Sequence, residues 1–115
     1  MTIKIKKDDQ YICENVKEAK GFFSRLKGLM FTDSLGEYDG LLITPCNSIH
    51  TFFMRYTIDV LFLSRDMRVL KIIRRMRPYR MTSIVWGAYR TLEMTEGTLG
   101  DDVQVGDQLE VVCTN

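Results

Sequence analysis

The stretch "IDVLFLSRDMRVLKII", Ile58 to Ile73, decides the fold. Two runs of β-branched and large apolar residues, Ile58–Leu63 and Val69–Ile73, flank the polar Ser64, Arg65 and Asp66. Strand-length apolar runs on either side of a short polar turn predict a β-hairpin. Asp59 lies inside the first run. A carboxylate is rarely buried without a partner. It is therefore expected at the exposed start of the strand, or against a partner such as Arg80, Arg55 or His50.

Downstream, "RRMRPYRMTS" reads as a loop, because Pro78 suits neither a helix interior nor a central strand. "YRTLEM" (Tyr89 to Met94) and "QLEVV" (Gln108 to Val112) read as strands. The intervening "EGTLGDDVQVGD" is punctuated by Gly and Asp and predicts turns or one short helix. Upstream, "LLIT" (Leu41 to Thr44) is a short strand stopped by Pro45. "IHTFFM" (Ile49 to Met54) is β-branched and aromatic, as a strand is. "QYICENV" (Gln10 to Val16) is a further strand. "GFFSRLKGLMF" (Gly21 to Phe31) predicts a helix, with Phe22, Leu26 and Leu29 on one face.

Strands outnumber helices, and most connections are too short for βαβ crossovers. The expected fold is mainly β (α+β), a small antiparallel β-barrel or curved sheet with one helix from the N-terminal half packed on it. At 115 residues the chain predicts a single domain, residues 1–115. Its 45% apolar and 27% charged composition is that of a soluble globular protein.

The start, "MTIKIKKDDQ", has no apolar core after its basic residues, unlike a signal peptide. No apolar run approaches the roughly 20 residues of a membrane span. Cys13, Cys46 and Cys113 are odd in number and form no CxxC pair, so thiols in a reduced, cytoplasmic setting are expected. A net charge of +1 does not call for a polyanionic partner. The charge is unevenly placed, however. Arg55 to Arg80 is strongly basic, and Met81 to Asn115 is acidic with Arg90 its only base. These regions are expected to attract each other or to present separate surfaces.

The chemistry-bearing residues gather in "TPCNSIHTFFMR", Thr44 to Arg55, which holds the single histidine, His50. Cys46 and His50 would share a face on a helix, but Pro45, Asn47 and Ser48 are turn formers. Extended, their Cα atoms would stand roughly 13 Å apart at about 3.3 Å per residue. Cys46 can act as a nucleophile with His50 as base only if Asn47 and Ser48 turn the chain back. One histidine and scattered cysteines supply no complete metal-ligand set by their spacing, and Asp59 or Glu93 could complete one only through the fold. No cofactor motif is present, because Gly97, Gly100 and Gly106 lack the context of a phosphate loop. Arg74, Arg75, Arg77 and Arg80 around Tyr79 have the residue types of a nucleic-acid site. The near-neutral whole chain counts against nucleic acid, while arginines of this kind can also clamp a small anion.

Five segments resemble, in order, the family known as domain of unknown function 192 (uncharacterised protein family 0127). They are "RLKGLM", "PCNSIHTFFMR", "IDVLFL", "RPYR" and "LEMTEGTLGDDVQVGDQL", together spanning about residues 15 to 112. The chain is similar to a branch with Pro-Cys-x-x-Ile-His-Thr. Where the commoner branch has Trp-Met-Lys-Asn, Phe53-Met54-Arg55-Tyr56 stands here. The resemblance implies a compact prokaryotic β-rich domain and assigns no activity.

The residues themselves suggest a small-ligand-binding domain, its ligand polar or anionic. Its pocket is expected near Cys46–Met54, with contacts from Cys46, Asn47, His50, Thr51, Asp59 and Arg80. An enzyme using Cys46 and His50, or a module that binds a protein partner through its divided charge, are the alternatives.

Overall fold

The computed structural model describes residues 1–21, 28–30 and 32–114. Among these the chain forms eight strands: β1 (Thr2–Lys7), β2 (Gln10–Cys13), β3 (Val16–Ala19), β4 (Gly40–Ile43), β5 (Ile58–Leu63), β6 (Val69–Met76), β7 (Arg90–Thr95) and β8 (Glu110–Thr114). The deciding stretch is a hairpin as expected. β5 and β6 pair antiparallel, with Leu61 opposite Ile72 and Phe62 opposite Lys71.

Every residue of β5 is buried. A strand buried on both faces reads as a continuous apolar run rather than an alternating one. The reason lies in the order β3-β4-β7-β5-β6, which places β5 inside a five-stranded sheet covered on both sides. On one side Leu61, Leu63, Leu92 and Met94 pack against Ile3, Ile5 and Cys13 of the second sheet, ordered β2-β1-β8. On the other, Ile58, Val60 and Phe62 are covered by Leu29, Ile49 and Met54 from the connections. Full burial of such a side chain contributes about 1.5–3 kcal/mol. β4 starts at a glycine because a Cβ on Gly40 would come within 3.0 Å of the Cys13 sulfur and 3.2 Å of Leu92 Cδ1.

The α+β barrel expectation is corrected. The described residues contain no helix, and neither sheet closes. A small barrel has one interior, whereas β5 and β7 need cover on two faces, which two stacked sheets and a layer of loops provide. The helix predicted over Gly21 to Phe31 falls mostly on residues 22–27 and 31, outside the described residues; 28–30 form a turn. β3 and β4 run parallel, against the antiparallel expectation. Residues 20–39 connect them, a span long enough for the crossover that parallel strands require.

Three other readings change. Ile49–Met54 is no strand: only His50 forms an isolated bridge, with Met81, and the chain then turns. Gln10–Val16 is divided between β2 and β3. β1, not anticipated, carries the alternation that marks a half-buried strand, with Ile3 and Ile5 inward.

The basic and acidic regions do meet, but chiefly through backbone carbonyls. The Arg74 guanidinium donates to the carbonyls of Leu99 and Gly100 at 3.0 Å each, and Arg68 donates to that of Gly106 at 2.9 Å. No helix among the described residues is long and apolar enough to cross a membrane.

Candidate functional site

Two acids sit within the large sheet, and its two faces treat them differently. Asp59 lies where β6 bulges. Ile58 pairs with Met76 and Val60 with Ile73, so Arg74 and Arg75 together oppose Asp59. Arg75 takes a positive φ of 58°. Its N–H turns to Asp59 Oδ1 at 3.0 Å, and the Gly97 N–H donates to Oδ2 at 3.0 Å. Asp59 is thus buried and partnered as expected, but by backbone amides rather than by Arg80, Arg55 or His50. It floors an open cleft of about 680 Å³ whose walls include Arg74, Arg75, Glu96, Gly97 and Gly100. Arg75 Nε stands 3.8 Å from Glu96 across the exposed rim.

Glu93 has no such partners. On β7 it lies opposite Leu41 of β4 and Val60 of β5, both in the apolar layer covered by the loops. It is 3% exposed. Among the described residues no charge or hydrogen bond offsets the desolvation of its carboxyl. Burial pushes its pKa up to about 8, so it largely keeps its proton at neutral pH. The half-buried Tyr56 is close enough to sense it. Burial raises the Tyr56 phenol above its usual range; the Thr32 hydroxyl opposes that shift and the Glu93 charge adds to it.

The Thr32 hydroxyl is itself used, donating to the Leu29 carbonyl at 2.7 Å. Tyr56 OH and Thr44 Oγ1 are the two buried side-chain oxygens without a hydrogen-bond partner among the described residues. Cys46, Met54 and Tyr56 belong to the same apolar layer, and the buried Thr91, two residues before Glu93, donates to the Cys46 carbonyl at 3.3 Å. A cavity of about 320 Å³ lined by Leu29, Thr32 and Leu41 opens beside this layer.

The remaining predicted residues face elsewhere. Cys46, Asn47 and Ser48 do turn, but the Cys46 thiol donates to the Ser48 carbonyl at 3.2 Å. His50 Nδ1 accepts the Phe52 N–H at 3.2 Å, and the two rings stack 5.1 Å apart. Asn47 and Arg80 are exposed. Thr51 is fully buried and acts as a clamp. Its hydroxyl donates to the Arg77 carbonyl at 2.6 Å and accepts the Arg80 N–H at 2.9 Å. Its backbone N–H donates to the Arg80 carbonyl at 2.8 Å and its carbonyl accepts from the Tyr79 N–H at 2.9 Å.

The structure therefore joins His50, Thr51 and Arg80 along one seam and leaves Asp59 in a separate cleft. Replacing Thr51 by Val, nearly its shape, strands two partly buried backbone groups, the Arg77 carbonyl and the Arg80 N–H. A loss of about 2 kcal/mol is expected in urea unfolding, with faster amide exchange at Arg80. Unchanged exchange there would show that the clamp does not hold the loop.

Glu93 entered the sequence reading only as a remote metal ligand. Among the described residues, no group of three or more His, Cys, Asp or Glu is gathered to hold a metal. The signal that applied to Asp59, an acid in an apolar strand, was equally present in "TLEM".

The family model DUF192, described as "Uncharacterized ACR", matches residues 2–111. The match takes in β1, ahead of the segments that carried the resemblance. A UPF0127 protein of Thermococcus sibiricus is 35% identical over 101 residues, covering 83% of this chain and 64% of that protein. The chain thus spans less than two thirds of that relative's length. A Sinorhizobium meliloti crystal structure, titled a putative transcription regulator, superposes with a TM-score of 0.80, covering 95% of this chain and 91% of that one at 20% identity. A Novosphingobium aromaticivorans protein of unknown function gives 0.77, covering 94% and 82%, again at 20% identity. At that identity the likeness concerns the fold alone.

Proposed function

This chain belongs to the DUF192 family, and from that premise we propose that it binds a small polar or anionic ligand on the core side of the Cys46–Met54 segment. The observation that carries the reading is a buried carboxyl, Glu93, whose desolvation no described residue offsets, beside a phenol, Tyr56, whose oxygen has no hydrogen-bond partner among the described residues. Unpaired polar groups in an apolar layer cost about 1–3 kcal/mol each, which a ligand's hydrogen bonds would offset. With Glu93 protonated, both groups are O–H donors, and the ligand they suit carries an acceptor oxygen, a carbonyl or a carboxylate. Thr91 and Cys46 would border the site and Met54 would supply apolar wall.

Of the residues first expected at the ligand, Cys46 keeps a place. Asn47, His50, Thr51, Asp59 and Arg80 are better accounted for by the exposed seam and the separate cleft.

Acetate and benzoate titrated into ¹⁵N-labelled protein test this. At pH 6.5 they should shift the amide signals of Tyr56 and Thr91–Glu93. The effect should fade as pH rises through about 8, because the ionised Glu93 would repel an anion. Glu93→Gln keeps an N–H donor and should remove the pH dependence, while Tyr56→Phe should weaken binding about tenfold, the loss of one hydrogen bond to a charged group. The same pH profile in wild type and Glu93→Gln would overturn the reading.

A further inference from the structure

Thr44–Arg55 and Arg77–Tyr89 lie side by side and share a composition. Neither contains a lysine, an aspartate or a glutamate, in a chain that is 27% charged. Their charges are Arg55, Arg77 and Arg80, all exposed; Arg55 is already paired with Asp33 at 2.9 Å, which leaves Arg77 and Arg80 to a partner. Depletion of Lys, Asp and Glu with enrichment in aromatics, Met and Arg is the signature of protein-binding surfaces.

The apolar groups are correspondingly outward. Trp86 is 86% exposed, Met81 70%, Tyr79 58%, Ile84 51% and Phe53 49%. Scattered exposed apolar residues need no explanation, but a contiguous patch does. Phe53 and Tyr79 pack edge to face at 5.9 Å, Tyr79 continues to Phe52 at 6.4 Å, and Phe52 stacks on His50, which bridges to Met81.

The patch is also held in shape. Besides the Thr51 clamp, the Thr82 N–H donates to the Ile49 carbonyl at 2.9 Å, Val85 N–H to Asn47 at 2.8 Å and Cys46 N–H to Tyr89 at 2.8 Å. Phe53 and Tyr79 both hold positive φ, 63° and 62°. That region is costly for bulky side chains, and such strain clusters at functional surfaces.

We infer that this seam is a docking surface for an acidic segment of another protein, whose apolar side chains seat on Tyr79 and Met81 and, further along the same segment, on Trp86, while its carboxylates meet Arg77 and Arg80. Charge complementarity selects that occupant. A second copy docked face to face would oppose its arginines to arginines, with no acid in either segment to answer them. Single-stranded nucleic acid would use the rings and arginines, but Met81 and Ile84 offer a base nothing to stack on. This inference does not rest on the ligand proposal, which is carried by Glu93 and Tyr56 behind the first segment and outside both.

Trp86 is the chain's one tryptophan, so its emission reports on the seam directly. The probes are a random Glu–Tyr copolymer, a Glu homopolymer and a twelve-residue oligothymidylate. At 25 mM salt the copolymer should shift Trp86 emission to the blue and bind at least tenfold tighter than the Glu homopolymer. By anisotropy of labelled copolymer, R77E/R80E and Y79A/W86A should each weaken binding tenfold or more. Retained far-UV circular dichroism would establish that these surface variants fold. Copolymer binding unaffected by either variant overturns the inference. So does tight binding of the oligothymidylate alone, or a concentration-dependent dimer abolished by Trp86→Ala.

Discussion

Glu93→Gln is expected to raise stability by up to about 5 kcal/mol at pH 8.5 and to change it little at pH 4. The carboxyl titrates near 4.5 when exposed and near 8 in the folded protein, because burial in the apolar layer disfavours its charge. Below pH 4.5 both folded and unfolded chains hold the proton and the group contributes nothing. Between about 4.5 and 8 only the folded chain holds it, so each rise in pH favours unfolding. Above 8 the penalty is complete. At about 1.4 kcal/mol per tenfold difference in proton affinity the full separation gives the figure above, as an upper estimate.

Wild-type stability should therefore fall across pH 5–8, and the slope should flatten in Glu93→Gln. Urea midpoints followed by circular dichroism are the measurement, since Trp86 is already exposed in the native state. Work should stay below pH 9. Burial also pushes the Cys13 thiol up to about 12, so above its ordinary value of 9.0 it destabilises in the same direction. A wild-type curve flat from pH 5 to 8 would show that Glu93 is hydrated or partnered, and would remove the basis of the ligand site as well.

Asp59→Ala is expected to cost about 2–4 kcal/mol for a different reason. The carboxylate substitutes for sheet hydrogen bonds that the β6 bulge interrupts, and it ties that bulge to the Gly97 turn. Truncation leaves two N–H groups without acceptors at about 1–3 kcal/mol each, reduced because the cleft admits water. Amide exchange at Arg75 and Gly97 should accelerate selectively. Asp59→Asn, which can still accept from one of the two, should fall between. If Ala and Asn variants were equally stable and both protected, Asp59 would be dispensable to the fold and better read as a ligand contact.

The two acids show how far the sequence could be read. Each is a carboxylate in an apolar strand, and the rule that such a group is paired or exposed applied to both. It held for Asp59, although the partners it found were amides rather than side chains. It failed for Glu93 among the described residues, and no local pattern distinguishes the two. Cys46 and His50 were likewise adjacent enough in sequence to invite a pair. The turn at Asn47 and Ser48 formed, yet it aimed the thiol at a carbonyl. The strand expected over Ile49–Met54 gave way because its β-branched and aromatic residues are held by the Arg77–Thr82 segment instead of a ladder. β-propensity records a fit to half-buried surfaces, and a loop clamped over a core is one.

The sequence by itself determined what depends on neighbours along the chain: the β5–β6 hairpin, the stop at Pro45, the Gly/Asp turns, the strands at Leu41, Tyr89 and Gln108, and the family. Tertiary structure alone decided which elements stack, that both sheets stay open, and which acid is satisfied. Asp59 is partnered by an amide 38 residues away, at Gly97, whereas Glu93 is placed among apolar side chains from β4 and β5. Hydrogen-bond satisfaction and desolvation act through space, so two acids with the same local sequence signature acquire opposite surroundings.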